Sequence, residues 1–215
     1  MPSSNALLFS AFLIEQLYAL NYHFPHPPSG LVYPQSLQLL KFLSTTAALL
    51  AWTPIARDSW LAPAYITTVA SLFFLSSLCL FAWTAITTQP RQLSVIYGRV
   101  TPTYVLSSGP LAYLRHPTYV AYALGWLGVA VRVIGSVSMA TGTNADWIPA
   151  PLRIVSLLSS VLGLFWLYRR GAVLEEEQFL KNYETVPGHK VGKDVTVEYS
   201  AYTRRVPNRW IPRLV

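Results

Sequence analysis

The stretch Ser108-Gly109-Pro110-Leu111-Ala112-Tyr113-Leu114-Arg115-His116-Pro117-Thr118-Tyr119 sets polar and helix-breaking residues directly before an apolar run that continues to Met139. A proline disfavours the helical region for the residue before it, so His116 is expected to be extended, while Pro117 suits the first turn of a helix. The imidazole then stands where backbone hydrogen-bonding groups are free. The segment reads as a site at a membrane boundary.

On either side of it the chain is apolar. Only 12% of the 215 residues are charged and 53% are hydrophobic, with a mean hydropathy of +0.37, values that mark an integral membrane protein. A span needs roughly 20 largely apolar residues, and five segments are expected to cross: 6–20, 37–52, 61–86, 119–139 and 151–168. The expected fold is all-α, a single membrane domain over 1–215, with amino-terminal spans in 1–88 and a functional core in 89–215. The first segment lacks a basic start and carries Glu15 and Gln16 in its middle, so it is expected to be retained rather than cleaved. Cys79, the only cysteine, lies within the third segment, which excludes an intramolecular disulfide and a cysteine cluster for zinc. The four scattered histidines do not make a metal site, and no metal is expected.

The net charge of +7 is distributed unevenly. Lys41, Arg91, Arg99, Arg115, Arg169, Arg170, Lys181, Lys190, Lys193, Arg204, Arg205, Arg209 and Arg213 fall on one side of the five spans, leaving Arg57, Arg132 and Arg153 for the other. The bias of Lys and Arg toward cytoplasmic loops predicts a cytoplasmic carboxyl terminus and a lumenal amino terminus. The basic tail is expected to meet anionic lipid headgroups, and nucleic acid is not an expected partner.

Two loops differ in character. Pro25, Pro27, Pro28, Gly30 and Pro34 make 22–35 an ordinary interfacial connection. By contrast, 89–115 mixes Pro90, Gly98, Pro102, Gly109 and Pro110 with Val95, Ile96, Tyr104, Val105 and Leu106, which predicts a partly embedded loop. Non-helical backbone at membrane depth is tolerated where protein buries it or where it lines a wet cavity, so this loop is expected to wall a pocket. Beyond the fifth span, good helix formers over 169–183 predict a helix projecting into the cytoplasm, followed by a surface loop over 185–197 and a final ordered piece with Tyr199, Tyr202, Val206, Pro207 and Trp210.

Chemistry concentrates at two places. Residues seven apart share a helix face, so Arg169 can lie above Glu176 and Arg170 above Glu177, either as a solvated helix exit with weak ion pairs or as part of a site. His116 beside Arg115 serves equally as an interfacial anchor, with Tyr113 and Tyr119 in an aromatic belt. Glu15, an ionisable residue inside a span, is a functional candidate by position alone.

Taken in order, Ser108-Gly109, Arg115-His116-Pro117-Thr118-Tyr119, Glu176-Glu177 followed by Leu180, and Tyr199 to Pro207 resemble the isoprenylcysteine carboxyl methyltransferase family of membrane enzymes. The resemblance covers about half the chain, from Pro102 to Leu214. It implies S-adenosylmethionine as cofactor, held between the loop before the His-Pro motif and the helix carrying the glutamates. Thr103, Tyr104, Val105, Leu106 and Leu111 would then line an adenosine pocket, and His116, Pro117, Thr118 and Tyr119 would contact the cofactor. Glu176 would bind its ammonium or ribose, and Arg115 would order the site or face the substrate carboxylate. The sequence departs from the family pattern at Leu111, where tyrosine is usual, near Thr103, where histidine is usual, and at Ala172, where the family has arginine. Arg169 or Arg170 on an adjacent turn would replace that arginine, and Arg170 joins Arg115 and Glu176 as a candidate catalytic residue.

The implied acceptor is a prenylated protein carboxyl terminus or a prenylated small molecule, and the implied location is the endoplasmic reticulum. Phospholipid amine methylation, NADPH-dependent reduction of the membrane sterol type, and a non-catalytic membrane protein are the alternatives. The chemistry suits a membrane surface: a prenyl tail prefers the bilayer and a carboxylate its edge. An arginine forked onto that carboxylate would orient it.

Overall fold

A computed structural model of the chain describes residues 4–21, 33–57, 63–88, 97, 105–139, 148–181 and 195–210. Six α-helices account for most of these residues: α1 Ser4–Asn21, α2 Pro34–Arg57, α3 Ala64–Thr88, α4 Pro117–Met139, α5 Ala150–Lys181 and α6 Val195–Arg205. A short 3-10 turn, Gly109–Ala112, precedes α4, and no strand occurs among the described residues.

Each helix starts where its sequence permits. Pro34 and Pro117 occupy the first positions of α2 and α4, where the missing N–H is no loss. The carbonyl of His116 accepts the Val120 N–H at 3.3 Å, the first bond of α4. The 25 residues of α3 carry no charged side chain and extend about 37 Å at 1.5 Å per residue, more than a hydrocarbon core of about 30 Å. The segments 64–88, 117–136 and 150–177 are long and apolar enough to cross a membrane, whereas α1 supplies a shorter apolar stretch, Asn5–Leu20. The five expected segments are helical where they are described, the third from Ala64 on, and three of them are long and apolar enough to cross a membrane.

α5 continues unbroken for 32 residues, joining the expected fifth span and the expected cytoplasmic helix into one rod. The change in polarity at Arg169 alters what surrounds the helix but removes none of its hydrogen bonds.

The bundle packs α3 mainly on α4 and α2 mainly on α5, with α1 filling the side against α3 and α6 lying on α5. Its interior is aromatic and aliphatic: Phe9, Phe12, Phe74, Trp126, Leu157, Leu164 and Tyr168 are fully buried. Gly125 lets α1 approach α4, because a Cβ there would overlap the ring of Phe12. Where α3 meets α4, the Ser77 hydroxyl donates to the Ala121 carbonyl at 2.7 Å. The outer surface is apolar as well: Ile14, Phe42, Leu49, Leu72, Ile86, Val155 and Leu162 all point outward. Helices apolar on both faces suit a bilayer, not water.

Candidate functional site

The 3-10 turn before α4 is where the cluster begins. Gly109 has φ +57, a left-handed value that favours glycine, and a Cβ there would strike Thr87 at the end of α3. The turn therefore seats against α3 and delivers Arg115 and His116 to the end of the bundle where α5 emerges. Tyr97, buried and also left-handed, donates its hydroxyl to the Leu167 carbonyl of α5 at 2.6 Å; the rest of 89–104, expected to be embedded, lies outside the described residues.

Two carboxylates on α5 organise the site. Glu176 accepts Arg115 Nη1 at 3.1 Å on both of its oxygens, and its Oε1 lies 3.0 Å from His116 Nε2. Arg209, from the segment after α6, donates Nε at 3.1 Å to each oxygen and Nη2 at 2.8 Å to Oε2. Glu175 accepts the Tyr119 hydroxyl at 2.5 Å on Oε1, and its Oε2 lies 3.5 Å from His116 Nδ1. Both imidazole nitrogens thus face carboxylates. Burial opposes the charged form of His116, but the hydrogen bonds and charges of Glu175 and Glu176 outweigh it and hold the imidazole above its ordinary pKa.

Backbone bonds fix the tail to this cluster. The N–H groups of Arg115 and His116 donate to the carbonyls of Asn208 (3.0 Å) and Arg209 (3.3 Å), and Arg115 Nη2 donates to the Pro207 carbonyl at 2.7 Å. The tail consumes the free backbone donors beside His116. α6 anchors it: Tyr199 stacks on Phe179 at 4.8 Å, and the Tyr202 hydroxyl donates to the Leu111 carbonyl at 2.8 Å. Burial, only partly offset by Arg115 and Arg205, pushes the Tyr202 hydroxyl up to about 12, so it stays a donor at neutral pH. Aromatic rings close one side, with His116 stacked on Tyr119 at 5.6 Å and Trp210 at 6.1 Å from both.

The structure brings Arg115, His116, Tyr119 and Glu176 into one cluster, with Pro117 buried and Thr118 partly buried beside them. Leu111 contributes its carbonyl to Tyr202, Val105 packs against the α6 tyrosines, and Leu106 is partly buried nearby in sequence. Thr103 and Tyr104 lie outside the described residues. Arg170 is placed elsewhere: it is exposed and sits 5.9 and 5.5 Å over the rings of Tyr33 and Trp166. The second guanidinium on Glu176 comes from Arg209, not from Arg169 or Arg170, and Ala172 is buried. Sequence reasoning misses Arg209 and the role of Glu175; the one available signal was a basic tail facing a pair of carboxylates.

Fold and site together define an all-helical chain suited to a bilayer, with a buried ionic and aromatic cluster at one end of its bundle. No protein-family model, no curated protein and no solved structure matches the chain.

Proposed function

We propose that this protein is a five-span membrane methyltransferase that uses S-adenosylmethionine to esterify the carboxylate of an S-prenylcysteine at the cytoplasmic face of the endoplasmic reticulum. One observation carries the reading: Arg115 and His116, just before α4, meet Glu176, near the end of α5, across 60 or more residues. The family resemblance assigns those two segments to opposite walls of a donor pocket. The outward apolar side chains of α1 and α2, such as Ile14 and Phe42, support the two further crossings.

The residues present suit such a donor. Glu175 and Glu176 offer carboxylates to an ammonium and to ribose hydroxyls, and the rings of His116, Tyr119 and Trp210 offer faces to a flat base or a cation. Among the described residues Arg115 Nε is buried without a hydrogen-bond partner and can serve a ligand carboxylate. Glu176 can receive an ammonium once Arg209, whose side chain is 45% exposed, swings away.

S-adenosylmethionine, held by the α5 carboxylates and the rings of His116, Tyr119 and Trp210, would supply a methyl group made electrophilic by the positive charge on its sulfur, with the neutral thioether as leaving group. The acceptor carboxylate is already ionised at neutral pH, so no proton moves and no general base is needed. The chain's tasks are alignment and exclusion of water. The α4–α5 cluster provides a fixed frame for the first, and the stacked rings of Tyr119, Tyr168 and Trp210 contribute to the second.

The test is transfer of labelled methyl by the purified protein in detergent to S-farnesyl- or S-geranylgeranylcysteine acceptors. A base-labile ester is expected. Absence of transfer to every prenylated acid tried overturns the reading.

A further inference from the structure

Glu15 lies in the middle of α1 at 6% exposure, and among the described residues neither of its carboxylate oxygens has a hydrogen-bond partner. Beside it Gln16, 4% exposed, accepts the Tyr168 hydroxyl on Oε1 at 3.4 Å while its Nε2 stays unpaired. An ionised carboxylate in such a place is strongly penalised, and the protonated form would still bury an O–H with nothing to receive it. Among the described residues nothing satisfies either state of Glu15.

The surroundings say what would satisfy it. Through Gln16, its neighbour on α1, the group reaches Tyr168 on α5, whose ring meets that of Tyr122 on α4. Those two rings lie 5.6 Å apart, and the Tyr168 hydroxyl accepts the Trp126 indole N–H at 3.1 Å. Phe12, one turn before Glu15 on α1, meets Trp126 edge-on at 5.2 Å. Tyr119 joins this group to the ionic cluster, stacking on Tyr168 at 5.8 Å while its hydroxyl reaches Glu175. Tyr122 follows His116 by six residues, about 9 Å along α4, so the Glu15 group sits on the bilayer side of the cluster.

An unpaired carboxylate among aromatic rings, with a spare amide donor beside it, is the chemistry that receives an ammonium: the carboxylate takes its charge and N–H groups, and the ring faces take the cation. We infer that Glu15, Gln16, Tyr122 and Tyr168 form a subsite for the ammonium of a membrane-borne amphiphile, which makes the acceptor a free S-prenylcysteine rather than a peptide tail. In a peptide that nitrogen is an uncharged amide and leaves Glu15 as it stands. The identity of the acceptor rests on the methyl-transfer reading; the ammonium subsite does not.

The experiment titrates the full chain in phosphatidylcholine nanodiscs, without methyl donor, with farnesylamine and with farnesol, which share a tail and differ in the ammonium. The parent is expected to bind the amine at least about tenfold more tightly, the size of one charged hydrogen bond. That preference should vanish in Glu15→Gln and shrink in Tyr168→Leu, which removes a ring face. Equal binding of the two probes by the parent, or a preference that survives Glu15→Gln, overturns the subsite. Should Glu15→Gln not fold, Tyr168→Leu and Tyr122→Leu, which remove the ring faces, decide: reduced preference supports the subsite and full retention overturns it. A transfer assay then separates the two proposals. Methylation of N-acetyl-S-farnesylcysteine as fast as S-farnesylcysteine overturns the acceptor assignment and leaves methyl transfer standing, whereas an amine preference without any transfer leaves the subsite standing alone.

Discussion

Arg209 and Glu176 form a forked ion pair, with Nε 3.1 Å from both carboxylate oxygens and Nη2 2.8 Å from Oε2, and this pair ties the tail to α5. Its two halves are unequal. Arg209 is partly exposed, whereas the Glu176 side chain is 9% exposed and also holds Arg115 and His116.

That inequality predicts different costs. Arg209→Ala should lower stability in detergent by only about 1 kcal/mol, the scale of a partly exposed pair, yet free the tail for tryptic cleavage at Arg204 and Arg205. Glu176→Gln should cost about 3–5 kcal/mol, because it leaves cations without their shared counter-charge. Equal thermal shifts in the two variants, or a tail as protease-resistant as the parent's in Arg209→Ala, would show that the pair is not what anchors the tail.

The His116 imidazole carries a pH signature. Glu175 and Glu176 outweigh burial and raise its pKa in the folded state above the ordinary 6.5. A group raised on folding stabilises fully below its unfolded pKa, and that stabilisation is lost as pH rises through the folded value. Melting temperature should therefore fall as pH climbs from 6.5 into the mildly alkaline range, and the slope should flatten in His116→Gln. A parent whose stability rises over that range contradicts the arrangement.

For the proposed donor site, His116→Ala and Glu176→Ala should each weaken S-adenosylhomocysteine binding by at least about tenfold, the loss of one or more charge-assisted bonds. Arg170→Ala, a change on the exposed face over Tyr33 and Trp166, should leave it within about twofold. Calorimetry on detergent-solubilised protein reads both, with gel filtration as the check on folding. A larger loss in Arg170→Ala than in Glu176→Ala would move the site away from the cluster.

Packing at Gly125 can be tested without any ligand. Gly125→Val drives a side chain into the Phe12 ring and should destabilise by about 1–3 kcal/mol. Phe12→Leu should recover part of the loss when combined with it. Strict additivity in the double variant would mean that the two residues do not touch.

Much of this fold is legible in the sequence because a bilayer demands long apolar helices and prolines mark their starts. Pro117 opens α4 directly after His116, as the dipeptide predicts. The unbroken length of α5 is less legible, since Arg169 and Arg170 mark the edge of apolar surroundings while nothing in 168–181 interrupts the helix. The ion pairs are harder still. Arg169 and Glu176 share a face, but seven residues separate them by about 10 Å along the axis, too far to pair. Glu176 found its partners through tertiary folding, in the turn before α4 and in the tail. No local pattern around Asn208 and Arg209 announces that their carbonyls receive the N–H groups of Arg115 and His116.

The reach of those contacts bears on how the molecule assembles. Arg115 bonds the carbonyl of Pro207 across 92 positions of chain, whereas the helices that flank the cluster each close their own bonds four residues at a time. Closing so wide a loop carries an entropic cost that local structure avoids, and contacts of long sequence separation form slowly. The individual helices should thus form first, and the ionic knot should tie only together with the equally distant packing of α2 on α5, so that a refolding chain passes through a state with helices formed and the Glu176 cluster still open.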